Sequence, residues 1–372
     1  MPDQHAFLSA SSSNRWIACP PSAKLNSQTG GQTSEYAILG TCAHSLAEYK
    51  LKKALGRKAR DPTNDLDCYD LEMESATDDY VAYVLEQVQK EKETCHDPEV
   101  LVEQQLDLSR WIPESFGTAD ALVVGDDTLT IVDLKYGTGI KVESSSSQLK
   151  CYALGCVDMF DGIYDIRKVR MVIFQPRLEH ISETEMSKEE LLTWADEVLV
   201  PAAKLAFVGE GEFNAGDYCQ FCSVKANCRK RAETNMELAR FDFAMPPILE
   251  DEEIEAILPK LDQLSSWASD IKDYALQKAL SGKKWSGFKL VEGRANRKYV
   301  NEDAVAEVVT AAGYDPFEKR LLGITAMTSL LGKKKFEEVL SGLVERPQGK
   351  PALVPQSDKR PEMNSAADDF KE

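Results

Sequence analysis

The stretch from Glu114 to Tyr152 constrains this chain more than any other. Two apolar runs, Ala121–Val124 and Leu129–Val132, are separated by Gly125-Asp126-Asp127, the punctuation of a β-hairpin. Each run lies next to one carboxylate. Asp120 opens the first expected strand, and Asp133 closes the second, followed by Leu134 and Lys135. Side chains alternate faces along a strand, so Asp133 and Lys135 emerge together while Leu134 points the other way. Asp120, on the neighbouring strand, can reach the same side. Two carboxylates and an amine would then converge at a sheet edge. Carboxylate oxygens suit a hard divalent cation such as Mg2+ or Mn2+, and a lysine beside it can orient an attacking water or help deprotonate it. The helix expected after Gly137-Thr138-Gly139 carries Gln148 and Tyr152, four apart and therefore on one face. Taken alone, Asp-Leu-Lys at a strand end reads as a structural ion pair.

Cysteine supplies a second signal. The nine cysteines include Cys219-x2-Cys222-x5-Cys228, three thiols in one compact loop, with Cys19-Pro20-Pro21 as the best source of a fourth. Thiolates at this spacing bind Zn2+ or an iron–sulfur cluster. An odd cysteine count without a secretion signal argues against a disulfide framework, so Cys42, Cys68, Cys95, Cys151 and Cys156 are expected as buried or incidental thiols. Residues 35–55 read as a helix with Ala37, Leu39, His44, Ala47 and Leu51 near one side. A lone histidine there is ordinarily a satisfied core residue, and Cys42 with His44 makes half of a zinc site with no second pair.

The expected element order is helix, three strands (the first over residues 99–108, carrying Glu103), helix, strand (residues 167–175) and helix. That is an α/β core: a mixed central sheet flanked by helices. Residues 61–97 read as an acidic helical insert beside it. Residues 1–232 form the expected first domain and 233–343 a mostly helical C-terminal region. Within that region lie a linker at 241–250, a short apolar seam from Ile257 to Ala275, a strand at Gly287–Glu292, a helix capped by Asn301, and two helices broken at Gly332. Residues 344–372, polar and Pro-rich, read as a disordered tail. Net charge is −18, which argues against a general nucleic-acid coat. The charge is segregated: residues 61–110 hold 15 acidic and 3 basic side chains, whereas residues 281–350 hold 13 basic and 9 acidic. The basic region is expected to track phosphates or to be a solvated face. No apolar run approaches the ~20 residues of a membrane span, and the N-terminus has no basic start or apolar core. A cytoplasmic protein without a membrane partner is expected.

The combination Asp-x12-Asp-x-Lys-x12-Gln-x3-Tyr resembles the PD-(D/E)XK nuclease superfamily in its RecB-like branch, although Ala119 rather than Pro precedes Asp120. Gly40, Thr41 and His44 resemble the helix that precedes the core in that branch. The cysteine spacing resembles the AddB-like iron–sulfur exonucleases, over roughly residues 8–230. The resemblance implies a restriction-endonuclease-like core. It implies that Asp120, Asp133, His44 and the Leu134 carbonyl hold Mg2+ or Mn2+. It implies that Lys135 orients the water and that Gln148 and Tyr152 position the strand. It also implies a 4Fe–4S cluster on Cys19, Cys219, Cys222 and Cys228, with Zn2+ as the alternative. The expected activity is metal-dependent DNA hydrolysis, as an exonuclease of a phage or mobile element in a bacterial host cytosol. DNA, as single strands or duplex ends, is the expected partner, with a single-strand-binding or annealing protein beside it and no oligomeric state implied. The rival readings are a non-cleaving DNA-end scaffold and a defence or counter-defence protein. No Walker A pattern occurs in the chain, so any ATP-driven unwinding comes from elsewhere.

Overall fold

A computed structural model of the chain describes residues 6–28, 35–237, 251–291, 300–317, 321–340 and 342–344. It divides into two units, Met1–Tyr274 and Ala275–Glu372. In chain order the first unit holds α1 (Ser13–Ala18), α2 (Ser22–Gln28), α3 (Glu35–Ala54), α4 (Leu71–Glu91), β1 (Glu99–Asp107), β2 (Phe116–Val124), β3 (Thr128–Leu134), α5 (Ser147–Met159), β4 (Lys168–Gln175), β5 (His180–Ser187), α6 (Lys188–Trp194), α7 (Val200–Val208), α8 (Arg229–Met236) and α9 (Asp251–Ile257). Then comes α10 (Leu261–Leu280), which runs across the boundary into the second unit.

The sheet is mixed, with strand order β1-β2-β3-β4-β5. The β2–β3 pair is the expected hairpin, closed by Gly125 N–H donating to the Thr128 carbonyl at 2.8 Å. Strand β2 begins at Phe116, four residues earlier than Asp120, because Phe116–Ala119 pair with β1. The β3–β4 pair is parallel, and α5 makes the crossover that a parallel pair requires.

Both faces of the sheet are covered, which is why its strands read as near-continuous apolar runs. Leu122, Leu129, Ile131, Val169, Met171 and Ile173 pack against α5, with Trp16, Leu191, Leu199 and Ala203 behind it. Ala121, Val132, Leu134, Val172 and Phe174 pack against Ala47 and Leu51 of α3 and Tyr80, Val81 and Val84 of α4. The acidic 61–97 segment is therefore not an appendage. Its helix α4 presents one apolar stripe to the sheet and, Glu91 apart, its acidic side chains to the outer face. Trp16 is fully buried, and truncating it to Ala should cost about 3–5 kcal/mol.

Strand β1 changes phase once. Val102 packs on the α3/α4 side, whereas Leu106 and Leu108, also even-numbered, pack on the α5 side. In β2, Ala121 lies on the α3/α4 side while Ala119 lies on the other together with Leu122. Strict alternation forbids this without a slip. The slip falls at Glu103, which adopts φ +52° in the left-handed region, facing Asp120 in the register between the Val102–Ala121 and Gln104–Ala119 pairs.

Two expectations about covalent and local structure are corrected. Cys42 and Cys68 form a disulfide with Cα atoms 6.6 Å apart. The pairing is tertiary: α3 lays Cys42 against the chain entering α4, beside Met73 and Tyr136. Gly287–Val291 form no strand. The expected linker at 241–250 and almost all of the 344–372 tail lie outside the described residues.

The first unit extends past residue 232 because α10 is tied back to it. Asp270 pairs with Arg231 at 2.5 Å and Lys225 at 2.8 Å, and Gln263 donates to Asp217 at 2.8 Å. In the second unit Asn301 caps α11 (Glu302–Ala311) by accepting from the Ala304 amide at 3.1 Å. Gly332 then separates α12 (Ile324–Leu331) from α13 (Lys333–Leu340).

Candidate metal centre

Three acidic or imidazole side chains from three elements meet beside the phase slip. His44 of α3 places Nδ1 3.2 Å from Asp120 of β2 and 3.9 Å from Glu103 of β1. One ligand atom from each of the three lies within 4.8 Å of the others, close enough to share one cation. The unusual backbone at Glu103 is what turns a strand glutamate toward this point. Left-handed φ at a residue other than glycine costs of order 1–3 kcal/mol, and such cost concentrates at functional sites.

The electrostatics are those of buried acids crowded around one imidazole. Burial would lower the His44 imidazolium, but the charge and hydrogen bond of Asp120, with Asp133 behind, raise it to about 9. Burial, and then the neighbouring Asp120, push Glu103 up to about 8. Burial would raise Asp120 as well, yet His44, Lys135 and the Leu134 amide hold it below the ordinary carboxylate range. That amide donates to Asp120 Oδ2 at 2.7 Å, so Leu134 enters the site through its N–H. Glu48, one turn from His44, is paired with Lys52 at 2.5 Å.

On the α5 side, Asp133 and Lys135 form a close ion pair, Nζ to Oδ2 2.7 Å. Asp133 is only 2% exposed. The ammonium is the partner of Oδ2, while Gln148 approaches Oδ1. Burial pushes the Asp133 carboxyl up, and Lys135 offsets this only in part. Burial would lower the Lys135 ammonium, but Asp133 and Asp120 outweigh it and hold it above its ordinary value.

Gln148 links these groups. Its amide accepts from Lys135 at 3.3 Å and donates to Tyr152 at 3.0 Å and to Asp133 at 3.5 Å. Ser146 caps α5, accepting from the Leu149 amide at 3.4 Å, and so fixes where the helix presents Gln148. Burial raises the buried Tyr152 phenol well above its ordinary value. Its ring lies over Gly117: a β-carbon there would come within 2.7 Å of Tyr152 Cε1.

Asp120, Asp133, Lys135, Gln148, Tyr152, His44 and Leu134 thus form one connected neighbourhood. Glu103 joins them; its strand position alone is compatible both with an approach to the site from the side and with an ordinary exposed glutamate. The signal was the register. Once Gln104 pairs with Ala119, Glu103 must face Asp120.

Cys19, Cys219, Cys222 and Cys228 line a second cavity, together with Arg15 and Tyr218. Among the described residues the four cysteines do not form a group placed to hold a metal, so the expected cluster site is not evident. The segments are joined by hydrogen bonds as well. Asn26 donates to Cys222 Sγ at 3.4 Å and accepts from the Ser223 amide at 2.9 Å, and Asn214 donates to the Ala18 carbonyl at 2.9 Å. Burial raises the Cys19 and Cys219 thiols above their ordinary values.

Fold and site together define an α/β protein with a His–Glu–Asp cluster suited to a cation. The chain belongs to the family described as "Protein of unknown function (DUF2800)", whose model matches residues 5–361. Among solved structures, the crystal structure of SSO0001 is similar over 59% of this chain and 96% of that chain, at 13% identity and a TM-score of 0.25. No helix among the described residues is long and apolar enough to cross a membrane.

Proposed function

We propose that this chain is a Mg2+- or Mn2+-dependent deoxyribonuclease on a restriction-endonuclease-like core, related to the RecB-like nucleases. The observation that carries the reading is the approach of His44, Glu103 and Asp120 to one point, beside the Asp133–Lys135 pair. The residues fit a cation. Two carboxyls are pushed up by burial. The imidazole in an otherwise oxygen donor set favours Mn2+ over Mg2+. When bound, the ion would supply positive charge to the phosphoryl oxygens and acidify a water.

The protein groups have separate tasks. His44, Glu103 and Asp120 would hold the ion, with the Asp133 carboxylate and the Leu134 carbonyl as the further donors that the family resemblance implies. Lys135, kept in its ammonium form, would donate to the attacking water or to a phosphate oxygen and fix its direction. Gln148 would lock the Lys135 amine through its own bonds to Asp133 and Tyr152. Exonuclease action on DNA ends, in the recombination or replication of a phage or mobile element, is the setting we assign it.

The four cysteines extend the reading. The four cysteines line one cavity, and it is the Cys-x2-Cys-x5-Cys spacing with a distant fourth cysteine that supports a 4Fe–4S cluster over zinc. Anaerobic purification followed by iron, sulfide and zinc analysis separates the two.

The test of the activity is a time course with Mn2+ on end-labelled linear DNA and on closed circles. Progressive loss of the linear substrate by wild type but not by Lys135→Ala, with circles spared, is the expected result. Equal behaviour of the two proteins would refute the reading.

A further inference from the structure

The second unit carries a feature that the metal centre does not explain. Residues 283–298 contain Lys283, Lys284, Lys289, Arg294, Arg297 and Lys298 against the single acid Glu292, in a chain of net charge −18. Two aromatic rings, Trp285 and Phe288, lie between the lysines. Phe288 is 83% exposed, and Leu290 and Val291 beside it are exposed as well.

The backbone brings the two rings together. The Phe288 amide donates to the Trp285 carbonyl at 3.2 Å, which closes a four-residue turn. Gly287, at φ +81°, occupies the turn position that requires a left-handed residue. Trp285 is fixed from behind, because its indole N–H donates to the Ala275 carbonyl of α10 at 2.9 Å. Lys283 Nζ lies 5.5 Å from the indole centroid. The turn thus presents one anchored and one exposed ring, with exposed Lys284 and Lys289 on its two flanks.

Alternating cations and aromatic faces are how proteins hold single-stranded nucleic acid: the cations meet phosphates while the bases stack on the rings. A duplex hides its base faces, so an exposed ring gains nothing from it. We infer that the Trp285–Phe288 turn with its flanking lysines is a binding surface for single-stranded nucleic acid. The inference goes beyond the proposed hydrolytic activity and stands without it, since the turn lies wholly in the second unit and uses none of the metal-centre residues.

The experiment uses the full chain in EDTA, so that cleavage plays no part. Binding of labelled oligodeoxyuridylate and oligouridylate is followed by fluorescence anisotropy across a salt series. Wild type is expected to bind with strong salt dependence. Phe288→Ala should weaken binding about tenfold, the effect of losing one stacked base. Phe288→Trp should retain it. Combining Lys284→Ala with Lys289→Ala should lower the slope of log K against log salt by about 1.4, or ~0.7 for each phosphate no longer neutralised. Preference for one oligomer would identify the sugar that the surface accepts. Three results would overturn the inference: no oligomer bound by wild type at low salt, Phe288→Ala binding as tightly as wild type, or capture by phosphatidylserine vesicles with no oligomer binding.

Discussion

The two sides of the metal centre are built by different means. On the α5 side, Asp133, Lys135, Gln148 and Tyr152 come from one strand end and one helix face, and local periodicity alone aligns them. On the α3 side, His44, Glu103 and Asp120 come from a helix and two strands, and they meet only because β1 slips phase at a left-handed residue. The first side is regular structure placed at an edge. The second concentrates backbone strain at Glu103, whose carboxyl is also pushed up to about 8 by burial and by Asp120.

Substitutions on each side should separate binding from chemistry. The largest effect is expected from Asp120→Ala, which faces both sides: Mn2+ binding should be lost in calorimetry and DNA cleavage should fall at least about 10³-fold. Lys135→Ala should lower the cleavage rate by about 10²–10⁴-fold while calorimetry still shows Mn2+ binding. Equal loss of binding in both variants would mean that the two sides are not distinct. Glu103→Gly should act in opposite directions on stability and function. Thermal unfolding of the metal-free protein should show it about 1 kcal/mol more stable, through relief of the left-handed strain, while Mn2+ affinity falls.

The pH dependence follows from the same acidity. In the metal-free fold His44 titrates near 9 rather than 6.5, and Glu103 near 8 rather than 4.5. The folded chain therefore holds protons that the unfolded chain releases. The His44 contribution is fully present below 6.5 and is lost as pH rises through 9. The Glu103 carboxylate becomes a growing penalty between 4.5 and 8. Stability of the metal-free protein should fall as pH rises from about 5 to 9, and urea titrations at several pH values measure this. Glu103→Gln should flatten the lower part of that fall. The smallest effect is expected at Gly117→Ala, where crowding against Tyr152 should cost about 1–3 kcal/mol of stability with Mn2+ affinity unchanged.

The same contrast explains what could be read before folding was considered. Strands β1 to β4, the Gly125 hairpin, the capped helices at Ser146 and Asn301, and the break at Gly332 all follow from short-range patterns. The polar edge strand β5, HISETEMS, carries no apolar alternation, because only its pairing with β4 makes it a strand. The role of α4 as a covering layer was obscured by its acidic outer face. The Cys42–Cys68 bond and the position of Glu103 depend on which elements become neighbours, and neither composition nor spacing encodes that directly. Residue identities and the family resemblance thus pointed to the α5 side and to His44 and Asp120, while Glu103 needed the sheet register.

The central claim is that His44, Glu103 and Asp120 hold one catalytic cation. Crystals grown or soaked with Mn2+ and measured at the manganese absorption edge test it most directly. An anomalous peak within coordination distance of all three side chains, lost in Asp120→Ala, is the predicted result. A Mn2+-loaded crystal with no peak there, or with its only peak elsewhere, would contradict the account.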